Sequence, residues 1–151
     1  SLFGIVYALS RNSLPGKNDV TKAMILSGIM WITIYFIPFL KYPANPPTVG
    51  ENETVVLRTF LYLLLIAISG ISALGFYKLS TRLQNNKKYF ALLGYIIFIA
   101  VIFFVMPENP DVITAPMNLV NEFRLVSVLG VSSFWGSVGI ILGLFWKKFN
   151  Y

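Results

Sequence analysis

Residues 89–106 read Tyr-Phe-Ala-Leu-Leu-Gly-Tyr-Ile-Ile-Phe-Ile-Ala-Val-Ile-Phe-Phe-Val-Met, eighteen positions without one charged side chain. As a helix rising 1.5 Å per residue this stretch is about 27 Å long, close to the roughly 30 Å hydrocarbon core of a bilayer. In hydrocarbon each backbone N–H and C=O must be satisfied internally, and a lone apolar stretch does this only as a helix. Three more stretches are long enough: about Val20 to Leu40, Thr54 to about Leu79, and Phe123 to Trp146. The sequence therefore predicts an all-α fold, a polytopic integral membrane helical bundle. It forms a single membrane domain over residues 1–151, with no low-complexity segment or dividing linker. Residues 2–9 are apolar but too short to cross, and are read as either a partial span or an interfacial piece.

Composition agrees with this reading. Hydrophobic residues make up 56% of the chain and charged residues 12%, against about 25% charged in a soluble domain. There is no His and no Cys, which excludes a Ser-His-Asp hydrolase, a zinc deaminase and a haem protein ligated by either residue. The +6 balance sits at the ends of the apolar runs, where juxtamembrane anchoring explains it without nucleic acid. No catalytic residue, resident metal or cofactor is expected. The expected partners are the lipid bilayer and other membrane subunits.

The basic residues also orient the chain. Arg11, Lys17, Lys22, Lys78, Arg82, Lys87, Lys88, Lys147 and Lys148 fall in segments on one side, with Asp19 as their one acidic companion. The other side holds Lys41, Arg58 and Arg124 against Glu51, Glu53, Glu108, Asp111 and Glu122. Cytoplasmic loops carry the excess of Lys and Arg, so the C-terminus is expected in the cytoplasm and the membrane is read as the plasma membrane. Asp19 is a candidate cap for the first span. Trp31 and Trp135 fall mid-span and are expected to pack, since a lipid-facing indole N–H lacks an acceptor.

The two outer connections share a motif. Pro43-Ala44-Asn45-Pro46, after Tyr42, and Pro107-Glu108-Asn109-Pro110 each follow an apolar span, and Arg58 and Arg124 trail them by 15 and 17 residues. Proline cannot continue the intrahelical ladder, so Pro43 and Pro107 are expected to close their helices. The two helical hairpins then read as a parallel repeat about an axis near the membrane normal. For Arg58, Arg124 and nearby Glu122 three roles stand open. These are snorkelling to headgroups, a structural network tying down the Asn-Pro loops through carbonyls and carboxylates, and a substrate or ion site. Farther along the last span, Ser132, Gly136, Gly139 and Gly143 share one helix side, a packing face for close backbone approach. No acidic residue lies mid-span, so a complete transport path within this chain alone is not expected.

Running from Pro38 to Glu51, the sequence Pro-Phe-Leu-Lys-Tyr-Pro-Ala-Asn-Pro-Pro-Thr-Val-Gly-Glu, with Glu53-Thr54 and Arg58-Thr59, resembles the predicted cobalt transporter subunit family CbtA. Pro107-x-Asn109-Pro110-Asp111, Pro116, Asn118-Leu119, Phe123-Arg124-x-x-Ser127 and Trp135 are similar to that family's last outer loop and final helix. The resemblance covers most of the chain from about Phe3. It implies a transport-type membrane subunit that works with a partner; the alternative is a non-catalytic accessory subunit of a larger membrane enzyme or respiratory complex. It also implies members with a further leading helix and a segment containing acidic residues and His; on that ground this chain, which shows neither the helix nor any His, is read as a fragment, a split subunit or a divergent relative.

The topology has a direct consequence. Cysteines introduced at Asn52 and Asn86 should label from opposite faces of sealed cells, and equal labelling from outside would overturn the assignment.

Overall fold

The chain is described from a computed structural model covering residues 2–47, 49–50, 53–83 and 87–149. Every regular element in this range is helical: α1 (Leu2–Ser10), α2 (Asp19–Met30), α3 (Ile37–Lys41), α4 (Val55–Arg82), α5 (Lys88–Val105) and α6 (Met117–Phe149). A π-helical turn, Trp31–Phe36, joins α2 to α3. Four helical rods are long and apolar enough to cross a membrane: Asp19–Lys41, Val55–Arg82, Lys88–Val105 and Met117–Phe149. The protein is a multi-pass membrane protein. Within the apolar stretches of α5 and α6 only 6% of residues are buried inside the chain, as expected where lipid or another chain supplies the surroundings.

The boundaries differ from the sequence reading at two places. α6 begins at Met117, ahead of Phe123, because Pro116 starts the helix and its carbonyl accepts from Val120 N at 3.2 Å. The N-cap of α2 is Asn18, whose side chain accepts from Thr21 N at 2.8 Å. Asp19 is drawn away from capping: its carboxylate accepts from Arg11 Nε at 2.6 Å and from Tyr7 Oη at 3.0 Å.

The π turn has a local cause. Pro38 has no N–H, so it can donate neither to Ile34 in an α pattern nor to Thr33 in a π pattern. The Thr33 carbonyl accepts from Ser69 Oγ of α4 at 2.6 Å, and Ser69 is fully buried. Tyr95 of α5 donates to the Ser69 carbonyl at 3.3 Å. A mid-span proline thus opens a carbonyl, and a neighbouring hydroxyl fills it.

The chain divides into two compact units, Ser1–Ile32 with Leu125–Tyr151, and Thr33–Arg124. In the first, Tyr7, Ala23 and Leu26 are buried beneath Phe3, Leu142 and Trp146. Gly139 and Gly143 let α6 meet α2: a Cβ on Gly143 would lie 2.5 Å from Val20 Cα, and one on Gly139 2.9 Å from Ser27 Cβ. Ser27 Oγ donates to the Trp135 carbonyl beside this contact. Toward Trp31 the helices part around a cavity of about 280 Å³, lined on the α6 side by Ser132, Trp135 and Gly136. Both indoles are half-buried. In the second unit, α3, α4 and α5 enclose Ile37, Tyr42, Leu61, Leu65, Ile99 and Met106.

Close approach predicts an unequal response along one stripe. Gly143→Ala should destabilise the detergent-solubilised protein by about 1–3 kcal/mol through overpacking. Gly136→Ala, with nothing within 4 Å of its added Cβ, should leave melting unchanged or slightly raised. Equal melting of the two variants would overturn the assignment of Gly143 as the contact point.

Candidate functional site

Both proline loops belong to the second unit and meet at one end of it. The helices leading into them close in the same way. Tyr42 N donates to Pro38 O at 2.8 Å and Met106 N to Ile102 O at 2.9 Å, so the last ladder bond comes from the residue just before Pro43 and Pro107. Carbonyls in the last turn of α5 and just after it are then taken by residues at the end of α3. Lys41 Nζ donates to Phe103 O at 2.8 Å, and Tyr42 Oη to Pro107 O at 2.7 Å. Lys41 therefore caps the C-terminus of α5 in trans, where a cation also suits the negative end of the helix dipole. Tyr42 is 2% exposed, and burial pushes its phenol up from the ordinary value.

The same tetrapeptide does two jobs. Asn109 Oδ1 accepts from Asp111 N at 3.2 Å, a local turn two residues long. Asn45 has no such option, because position 47 is Pro and lacks an N–H. Its side chain turns outward: Asn45 Nδ2 donates to Asp111 Oδ2 at 2.8 Å, while its Oδ1 accepts from Arg124 Nη2 at 3.0 Å. A carboxylate needs a donor and a guanidinium an acceptor, which fixes the amide's orientation.

Asp111 is the centre of the cluster, its side chain 1% exposed. Oδ1 accepts from Thr54 Oγ1 at 2.7 Å, and Oδ2 accepts from Asn45 and from Arg58 Nη1. Gly50, at φ +108°, passes so close that a Cβ there would sit 3.1 Å from Asp111 Oδ2; only glycine holds this backbone at no steric cost. Burial alone pushes the Asp111 carboxyl up. Hydrogen bonds from Thr54 and Arg58, the Arg58 charge and the Asn45 amide together outweigh it, holding the group below the usual carboxylate range.

Arg58 and Arg124 thus reach across. Arg58, which follows the first loop, pairs with Asp111 of the second. Arg124, which follows the second, donates from Nε to Ala44 O at 3.2 Å and from Nη2 to Asn45. Pro43, Pro46 and Pro110 are half-buried in the loop walls, and Pro46 O accepts from Val49 N at 3.1 Å. Glu122, Glu53 and Glu108 are exposed and no contact among the described residues brings them into the cluster; Glu51 lies outside the described residues. Ser132, Gly136, Gly139 and Gly143 belong to the other unit and take no part. The sequence reading named Asp111 only as one of several acceptors, and passed over Lys41 and Thr54. The one signal for Lys41 was its place on the side otherwise poor in basic residues.

Chemically the cluster offers a buried carboxylate with three donors on it, the half-buried guanidinium groups of Arg58 and Arg124, and backbone carbonyls already in use. Among the described residues no group of three or more His, Cys, Asp or Glu could hold a metal ion.

Replacing Asp111 by Asn keeps the shape but leaves Arg58 facing a neutral group. Because Arg58 is 27% exposed, the loss should be about 2–3 kcal/mol at neutral pH, below the full cost of a buried broken pair. The sign with pH follows from the lowered value. Asp111's contribution is complete above the unfolded carboxyl range near pH 4 and fades as pH falls through its lower folded value. The gap between wild type and Asp111→Asn in thermal melting should therefore narrow only in strong acid. A gap that narrows on going alkaline would contradict this. Arg124→Leu should cost about 1–3 kcal/mol and Arg124→Lys less, since Lys keeps the charge but not the fork.

Comparison with known proteins adds one finding. The model of the family described as probable cobalt transporter subunit (CbtA) matches residues 1–147, so the chain belongs to that family. The comparison with curated proteins found no match, and that with solved structures found none.

Proposed function

We propose that this family member is a transport-type membrane subunit that moves a cation, cobalt in the family's description, together with a partner subunit. The family match over residues 1–147 carries the reading. The need for a partner is supported by the residues available: with no His or Cys, and no acid mid-span, the chain brings hydroxyl and backbone oxygens and the thioethers of Met24 and Met30 to its first span. Such ligands hold cobalt poorly against competing ions. The reading gives the chain no reaction of its own. It also places the loop cluster on the outer face and the C-terminus in the cytoplasm of the plasma membrane, on the strength of the nine-to-three division of basic residues. The shared Pro-x-Asn-Pro motif supports treating the two hairpins as a parallel repeat.

The bare membrane interior favours a second reading, a non-catalytic accessory subunit packed against a larger membrane enzyme or respiratory assembly. Purification from native membranes separates the two. A small membrane partner, together with cobalt uptake into vesicles that needs both chains, is the expected result. Co-purification with a catalytic complex and no uptake would favour the second reading. Elemental analysis of the chain freed of partners should find no stoichiometric cobalt, zinc or copper, and finding one would overturn the partner requirement.

A further inference from the structure

Among the described residues the loop cluster leaves two cations, Arg124 and Lys41, without a carboxylate. Asp111 bonds one of the two arginines: Thr54 donates to Oδ1, Asn45 and Arg58 donate to Oδ2, and its side chain is 1% exposed. Arg124 is held instead by two neutral oxygens, Ala44 O and Asn45 Oδ1. These take Nε and Nη2. The Nη1 group makes no hydrogen bond among the described residues, and Arg124 is half-buried. Lys41 of the same loop end likewise ends on a carbonyl, Phe103 O. Among the described residues the network thus holds Lys41, Arg58 and Arg124 against the carboxylate of Asp111, while Glu53, Glu108 and Glu122 stay exposed outside it.

A guanidinium stays charged at every accessible pH, and neutral carbonyls answer its charge only in part. Here the plane is preset by two bonds, so the remaining N–H groups project as a rigid fork with little ordering left to lose on binding. A rigid fork suits a planar or tetrahedral oxyanion. Arg124 lies in the loop-end half of the membrane-crossing helix α6, and the oxyanions that a bilayer surface offers to a guanidinium are phosphates.

We propose that Arg124 is the anchor of a phosphate-binding site at the loop end, taking either the phosphodiester of a lipid headgroup or free phosphate. The site does not depend on the transport reading: it needs only the loop geometry, and it would exist equally in an accessory subunit.

Native mass spectrometry of the detergent-purified protein tests this, with phosphatidylglycerol as one probe and inorganic phosphate as the other. Wild type should retain one lipid, and Arg124→Gln should reduce that occupancy about tenfold or more. Arg124→Lys should fall between, since a point charge lacks the fork; it also serves as the deciding variant if Arg124→Gln does not fold, as judged by melting. Lys147→Gln with Lys148→Gln, at the far end of α6, should leave occupancy unchanged. Retained lipid that millimolar phosphate does not displace assigns the headgroup. Displacement, with melting raised by phosphate but not by chloride at equal ionic strength, assigns the free anion. No adduct and no phosphate shift in wild type would overturn the proposal. Occupancy unchanged in both Arg124 variants, or lost equally in the Lys147/Lys148 variant, would overturn it too.

Discussion

The buried carboxylate of Asp111 is the constraint around which the loop end is built. Taking a carboxylate out of water costs several kcal/mol even after relaxation, and attraction to one cation offsets this only when the remaining lone pairs are also filled. Here Arg58, Thr54 and Asn45 donate to three of them. Each donor comes from a different stretch of chain: the start of α4, the turn before it, and the first proline loop. The carboxylate itself sits in the second loop. One group thereby holds in register segments that have no ladder hydrogen bonds to share. Their backbone needs are met separately, by Lys41 reaching a carbonyl in the last turn of α5 and Tyr42 one just beyond it.

A single difference between the two copies of the motif explains their unequal use. After Asn-Pro comes Pro47 in one loop and Asp111 in the other. Aspartate supplies both the carboxylate and an N–H that Asn109 can turn back upon. Proline supplies neither, so Asn45 is left to bridge Asp111 and Arg124. The repeated sequence is therefore not a repeated contact. What the two loops share is the way they stop a helix; what they do not share is the polar chemistry that joins them.

Much of this was legible in the residues and some was not. Helix number and approximate ends follow from apolar runs bounded by charge, because length and hydropathy dominate in a bilayer. The π turn was missed, though Pro38 inside the first run was its cause; a helix can answer a missing donor by kinking, by bulging or by borrowing a hydroxyl, and only the packing of Ser69 decides. In the loops, Arg58, Arg124, Tyr42 and Asn45 drew attention as polar groups near a membrane boundary. Which carboxylate they would meet among five did not follow, because spacing along the chain says nothing of which loop residue turns inward. Asn45's freedom to bridge was readable in principle, from the missing N–H of Pro47.

The polar residues of the membrane interior bear on how the chain works. Ser27 donates to the Trp135 carbonyl, Ser69 to the Thr33 carbonyl, and Ser72 to the Ile68 carbonyl of its own helix. Interhelical bonds of this kind contribute about 0.6 kcal/mol each on average in a bilayer, modest because the separated helices find other partners. Their larger effect is on register, since a hydroxyl pointed at one carbonyl fixes how two helices slide and rotate. The oxygen of such a hydroxyl keeps its lone pairs, but their direction is set by the carbonyl that the hydrogen meets.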